Sequence, residues 1–568
     1  MRFFINSSKG CFFVFFFVFF IGSISAQAQS RKSAKSAIKV TYLRSSHGEV
    51  MSNQDPILLF TSKNETVLTT QRIVEGKSAY PFERFFVNRN DQSYSKLAEF
   101  GIDQKAMTVN SELLAKQKFT LTDETKVILG YKCRKATTSV NSNSIELWFT
   151  EDLNIKGAPT ELGQDLGLVL EMVRNGNYAI TASKIEKIKS IPTNLLLPTI
   201  SNQVDELTYK DLLWKSRFID LSIFRNEQIN FVKDVKSDSI LRFANGTIIL
   251  KKVKVPTIKN GSNVFLELVE QSNGDAYDRT GSVFLIPTDQ DISFLNGLQE
   301  GIKTLPIYEN GNGKKYQGVV RTNNYSPLIE LMRFFTPFGV KQFNHIQLKG
   351  KQWQDSVTYR QDITEFQSVL SNQEVWIGTF IGNYDGGGHK VSLNLTVHPG
   401  RPENTDPKKV ISLFNTNNVM EMAGQDYATM FDVEKGLEVT FTLKEDVKNA
   451  QLRYITTGHG GWGNGDEFVP KENTIYLNQK EVFKFTPWRV DCGSYRLYNP
   501  ASGNFSNGLS SSDLSRSNWC PGTLTNPVFI ELGDLKAGTH TMRIKIPQGK
   551  PEGTSFSSWN VSGCLIVD

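Results

Sequence analysis

The chain has 568 residues and a net charge of +6, with no stretch in which its lysines and arginines gather. That length is too great for one hydrophobic core and implies about three domains. Charge spread so thinly argues against a nucleic-acid or membrane surface, and six histidines with no H-x-H or H-E-x-x-H spacing argue against a metal centre.

At the start, Arg2 and Lys9 precede an apolar stretch, CFFVFFFVFFIGSIS, and Ala26-Gln27-Ala28 closes it with a small-x-small site. This is the pattern of a secretory signal peptide, residues 1–28, cut after Ala28. The apolar core falls short of the roughly 20 residues a spanning helix needs. The mature protein is therefore expected to be secreted, extracellular or periplasmic. Cys133, Cys492, Cys520 and Cys564 survive processing, and an even count in an exported chain favours disulfides. Cys492 and Cys520 bracket a Ser/Asn/Gly-rich loop and are the expected staple. Cys133 and Cys564 either pair or stay free.

Strand signals dominate the mature chain. SIELWFT, HKVSLNLTV, GLEVTFTL, NTIYLN and TMRIKI are short, β-branched or aromatic, and bounded by turn residues. Helical periodicity is confined to DELTYKDLLWKSRF (205–218) and SPLIELMRFF (326–335). Two proline-bearing linkers, 188–203 and 398–409, divide the chain into a β-rich accessory domain at 29–195 and further domains at 205–398 and 405–568. In the first block, LGYKCRKA, WFTEDL and KGAPTELGQDLGLVLEM resemble the GLPGLI family of secreted β proteins, a resemblance that implies no chemistry.

Three later stretches carry candidate chemistry. NGDAYDRTGS (273–282) places Asp275 and Asp278 around Tyr277, with Arg279 directly after. Asn-Gly reads as a hairpin turn, so a solvated turn is the plain alternative to a catalytic carboxylate. TGHGGWGNGDEF (457–468) satisfies G-x-G-x-x-G but is followed by strand-turn-strand, which rejects a dinucleotide site. It remains a flexible glycine loop presenting His459, Trp462, Asp466 and Glu467, or else a long hairpin. SRSNWCPG (515–522) sets Arg516 and Trp519 beside Cys520, either as a stapled surface loop or as a cation and an aromatic face for sugar or peptide. His389, in YDGGGHK, reads as a structural histidine in a simple hairpin turn. No G-x-S-x-G elbow is present, so any catalysis falls to carboxylates.

From about 205 to the end, GDAYDRTGSVFLI, TTGHGGWGNGDEFVPKENTIYLN and SNWCPG occur in order, and the chain resembles the peptide:N-glycosidase F family. The resemblance implies an all-β fold, two side-by-side eight-stranded antiparallel jelly-roll sandwiches after a separate β-rich N-terminal domain. It implies a secreted amidohydrolase that cleaves between Asn and the innermost N-acetylglucosamine of N-linked glycoproteins and glycopeptides, with no metal or organic cofactor, acting as a monomer. By position, Asp278 is the principal catalytic acid and Glu467 the second. Tyr277, Arg279, His459, Trp462, Arg516 and Trp519 are expected to contact substrate, with Arg279 and Arg516 keeping Asp278 ionised. A third family glutamate falls at Gly378, with Phe380 nearby, which would leave an open pocket wall. The Cys492–Cys520 spacing also matches. The rival readings are a non-catalytic glycan-binding jelly roll and a copper monooxygenase, and scattered histidines disfavour the second.

Overall fold

The computed structural model describes residues 36–199, 202–232, 239–339, 343, 345–401, 407–460, 464–504, 511–551 and 553–568. The signal-peptide expectation at 1–28 lies outside the described residues. Two compact units divide between Leu213 and Trp214.

The first unit is built on one 12-stranded sheet. Its central pair, Ala37–Ser46 and Tyr178–Ile188, joins the two ends of the block antiparallel. From there consecutive strands step outward to Lys105–Asn110 at one edge and Thr120–Ile128 at the other. Tight turns hold the meander. Asn141 and Ser142 both have positive φ, the requirement of a two-residue turn whose twist matches its strands, and Asn175 and Gly176 take positive φ in the three-residue turn between Arg174 and Tyr178. Val40, Tyr42, Leu59, Leu147 and Leu170 form the larger buried cluster, and Leu58, Phe60, Val67, Phe86 and Leu97 a second. The helix expected at 205–218 runs Glu206–Lys215. Asp205 Oδ1 accepts the amides of Leu207 and Thr208, at 2.9 and 3.0 Å, and so caps it. Tyr209 and Leu213 pack that helix on Ala98 and Ala106.

The second unit contains two sandwiches of the same topology. Counting eight long strands in each half, one sheet runs 1-8-3-6 and the other 2-7-4-5, the order of a jelly roll. In the first roll these are Ile219–Ile229, His389–His398, Asn263–Ser272 and Val357–Asp362, facing Ile248–Lys254, Glu374–Ile381, Thr280–Ile286 and Ile329–Phe335. In the second they are Lys409–Asn415, Ser557–Val567, Val447–Gly460 and Val528–Leu535, facing Leu437–Leu443, Gly538–Lys545, Asn473–Leu477 and Lys480–Phe485. A separate apolar core fills each.

The helix expected at 326–335 is instead the strand Ile329–Phe335, buried at every residue. A continuous apolar run satisfies helical spacing and buried-strand composition equally. Its charged members, Glu330 and Arg333, clamp the two rolls together. Arg333 pairs with Glu330 and donates to Thr457 Oγ1 at 3.0 Å, Asn560 O at 2.6 Å and Asn417 Oδ1 at 2.8 Å. Arg453 reaches back from the second roll to the carbonyls of Glu330 and Leu331 and to Glu365. Glu330 and Arg333 are fully desolvated and Arg453 nearly so, which is tolerable because each is paired and hydrogen-bonded.

Candidate active site

Asn263–Ser272 and Thr280–Ile286 belong to different sheets, so the Asn-Gly hairpin expected between them is an arch from one sheet to the other. The YDGGGHK connection, also expected as a hairpin, is a second arch beside it, since Glu374–Ile381 and His389–His398 likewise lie in different sheets. The two are laced together: Asn273 N donates to Gly388 O at 2.7 Å. A Cβ on Gly274 would lie 2.5 Å from Asp385 Oδ1, so this close approach requires glycine.

Asp278 stands in the connection between the third and fourth strands of the first roll. Glu467 stands in the corresponding connection of the second. Arg516, from a loop of the second roll, joins them: its Nη1 lies 3.1 Å from Asp278 Oδ2 and 2.7 Å from Glu467 Oε1. The guanidinium is fully buried, and the two carboxylates are 16% and 18% exposed, so the ion triad opens to solvent on its acidic side.

The support of Arg516 is local and dense. Its backbone pairs in both directions with Arg489, and the Cys492–Cys520 disulfide ties the two segments. Its guanidinium lies 4.4 Å from the Trp519 ring, on which Phe335 also stacks at 4.4 Å. Trp519 is only 4% exposed and donates to Gly458 O, so it holds the arginine and offers no open face to a sugar. His459 also packs on Phe335 and Trp519. Burial, then Arg333 and Arg516, push its pKa down to about 3, leaving it neutral. Gly458 and Gly460 serve close packing, since a Cβ on Gly458 would lie 2.8 Å from Trp559 and from Ser517 and one on Gly460 2.0 Å from Phe556 O; the centre of the expected flexible loop, 461–463, lies outside the described residues. Asp466, fully buried, accepts from Trp559 Nε1 and Gly549 N and anchors the segment that carries Glu467.

Burial raises the pKa of both acids. That of Glu467 reaches about 7, with the neighbouring Asp278 adding to the rise and Arg516 opposing it. Asp278 is raised by burial despite Arg516 and Arg279. The expected partner Arg279 bonds elsewhere: Nε and Nη2 lie 2.7 and 3.2 Å from Asp275.

Of the residues named from sequence, Asp278, Glu467 and Arg516 are brought together, with Trp519 and His459 behind them. Tyr277, 54% exposed, stands at the rim, its ring 5.2 Å from the Arg279 guanidinium. Trp462 lies outside the described residues. Gly378 and Phe380 do not form an open wall. A Cβ on Gly378 would strike the Phe284 ring at 2.4 Å, and Phe380 is buried with Ile248, Leu250 and Phe284. Sequence reading missed Tyr384, 52% exposed, whose hydroxyl donates to Glu421 at 3.2 Å and whose ring lies 5.3 Å from the Arg279 guanidinium. It also missed Glu270, which pairs with His389, the histidine read as structural. Strand alternation could have found both, because they share inward rows with Val264, Leu266 and Leu268 and with Val391, Leu393 and Leu395. A charge on an apolar row is a site signal.

The described fold is thus a sheet domain followed by paired jelly rolls with an arginine-bridged Asp and Glu at their junction. The chain belongs to the peptide:N-glycosidase F family. Residues 40–211 match the profile described as N-glycanase peptide, N-terminal domain; 220–397 match Peptide-N-glycosidase F, N terminal; and 426–566 match Peptide-N-glycosidase F, C terminal. The structure of PNGF-II in a C2 crystal is similar over 94% of this chain and 98% of its own, at 57% identity and a TM-score of 0.87. Its P21 form gives 94%, 99%, 57% and 0.88. No curated protein matches the chain.

Proposed function

We infer that the chain hydrolyses the side-chain amide between asparagine and the innermost N-acetylglucosamine of N-linked glycoproteins and glycopeptides, leaving aspartate and a glycosylamine. Family membership makes it a peptide-N-glycosidase, a hydrolase acting on glycoprotein amides. The observation that carries the residue assignment is the sharing of Arg516 by Asp278 and Glu467.

In this reading Asp278, bordered by Arg516 and Arg279, is the base. It takes a proton from water as the water oxygen bonds to the amide carbon. The Arg516 guanidinium stabilises the developing negative charge. Glu467, with a pKa of about 7, keeps its proton near neutrality and gives it to the departing nitrogen as the C–N bond breaks. Transfer of the proton from Asp278 to Glu467 restores the starting state. Exposed Tyr277 and Tyr384, whose rings lie 5.2 and 5.3 Å from the Arg279 guanidinium, are suited to sugar faces, and Trp462 is assigned to substrate contact from sequence alone. Residues 29–195 act as an accessory domain to catalytic rolls at 205–398 and 405–568. Export after removal of residues 1–28 and action as a monomer complete the assignment. Among the described residues no helix is long and apolar enough to cross a membrane.

The test is digestion of a denatured N-glycoprotein followed by mass analysis of peptide and glycan. Conversion of the glycosylated Asn to Asp is expected. A single N-acetylglucosamine left on Asn would mean that a glycosidic bond was cut, and would overturn the reading.

A further inference from the structure

Behind Asp278 lies a row of ionisable groups that the amidase reaction does not use. Glu270 ends the inward apolar row of Asn263–Ser272 and is fully buried. His389, also fully buried, opens the neighbouring strand and directs Nδ1 to Glu270 Oε1 at 2.8 Å. Its Nε2 faces Asp275 Oδ2 at 3.5 Å. Asp275, 2% exposed, closes a clasp on the Asp278 arch: it accepts Tyr277 N at 3.1 Å and binds the Arg279 guanidinium. Thr336 holds the same segment from the next strand, accepting Arg279 N at 2.8 Å and donating to Tyr277 O. Asp278 is thus gripped at its neighbours on both sides and left free to face Arg516.

We propose that His389 is a positioning residue for the amidase reaction: clamped between Glu270 and Asp275, it fixes the Asp275–Arg279 clasp and so sets the place and field of Asp278. The proposal rests on Asp278 being a catalytic acid. Nδ1 is hydrogen-bonded to one carboxylate, and Nε2 has no hydrogen bond but a second carboxylate at 3.5 Å, an arrangement that suits a doubly protonated imidazole. Although burial alone would lower its pKa, Asp275 and Glu270 raise it to about 9. The row then alternates in sign, Glu270, His389, Asp275, Arg279, and its charges cancel where it meets Asp278. The other groups bearing on it are Tyr359, whose pKa is raised by burial and then by Glu270, and Asp385, whose Oδ1 is taken by the amides of Gly387 and Gly388. The adjoining strand offers uncharged Ile229 at this level. Asp278 itself faces Arg516, Arg279 and Glu467.

The test compares kcat/KM against pH for the full chain, His389→Gln and Glu270→Gln on one glycopeptide. Wild-type turnover is read first; its absence would sink the amidase reading, and this proposal with it. Given turnover, His389→Gln leaves the row with one excess negative charge. That disfavours ionised Asp278, so the acid limb is expected to move to higher pH, with a loss of about 10- to 100-fold at the optimum for a displaced reacting group. Glu270→Gln removes a negative charge and is expected not to move the limb upward. Rates are normalised to the folded fraction measured at each pH, so that a merely structural change leaves the limb in place; a limb unmoved in His389→Gln, or moved upward alike in both variants, overturns the proposal. If His389→Gln does not fold, imidazole nitrogen NMR of the wild-type chain decides. Protonation of both His389 nitrogens at neutral pH supports the proposal, and a neutral ring overturns it.

Discussion

Arg516 Nη1 lies 3.1 Å from Asp278 and 2.7 Å from Glu467, so one buried amino group is shared by acids that arise from matching connections of two different jelly rolls. Sharing prevents full neutralisation of both. One cation between two desolvated carboxylates leaves net negative charge when both ionise, and a proton is retained on the pair.

Asp278→Asn removes the base while keeping shape and one acceptor for Arg516. We expect a folded protein whose kcat on a glycopeptide falls by about 10²–10⁴-fold. Thermal melting beside the rate assay checks both halves. A folded variant with wild-type kcat would remove Asp278 from the chemistry.

Glu467→Gln separates function from stability. Its carboxyl titrates near 7 in the fold against an ordinary value of about 4.3. The folded state therefore binds the proton more tightly, and stability is lost as pH rises through that interval. At pH 8 the ionised side chain costs on the order of 3 kcal/mol. The glutamine variant should lose turnover strongly, yet gain melting temperature over wild type at pH 8 more than at pH 5. An equal difference at both pH values would contradict the shared-charge account.

Arg516→Lys keeps a charge but not a planar fork held against Trp519. One ammonium cannot serve Asp278, Glu467 and Ser511 together as the guanidinium does. kcat/KM should fall by at least about 10²-fold, the scale of losing a preorganised donor. Recovery of more than a tenth of wild-type activity would show that charge alone suffices.

The three signatures around Asp278, Glu467 and Arg516 were legible because each packs residue types, a disulfide partner or glycines into one short segment. Strand content was legible for the same local reason. What escaped needed a third dimension. Asn273-Gly274 looks like a hairpin, but the two apolar runs around it enter opposite sheets. Ile329–Phe335 has helical spacing because both of its faces are buried. Trp519 suggested a sugar platform, but Phe335 and Arg516 pack against it. Gly378 looked like a vacated pocket wall because nothing in the sequence says that its missing side chain would point at Phe284.

Gly378→Ala probes the packing at that wall. The new methyl must displace the Phe284 ring, 2.4 Å from the ideal Cβ position, in a closely packed cluster. Overpacking of this kind costs about 1–3 kcal/mol, read as a fall in denaturation midpoint. The ratio of rates on plain and core-substituted glycopeptides should not change, because a Cβ on Gly378 points at the buried Phe284 and Leu250 side chains. A changed ratio with unchanged stability would return Gly378 to the substrate pocket.

The buried row behind Asp278 predicts a pH window of stability. Against the burial that would raise it, His389 and Arg279 hold Asp275 at about 2, below its ordinary value of about 3.9. Its contribution is present above that ordinary value and lost as pH falls through 2. His389, raised to about 9 from an ordinary value of about 6.5, contributes fully below 6.5 and is lost as pH rises through 9. With the Glu467 titration removed by Glu467→Gln, melting temperature should therefore fall on both flanks of a plateau between about pH 4 and 6.5. Adding His389→Gln in that background should flatten the alkaline flank between about pH 6.5 and 9 while the acid flank persists. A double variant with Glu467→Gln isolates the histidine. If its melting temperature still drops between those pH values as steeply as in the single Glu467→Gln variant, His389 is not the cation holding this arch.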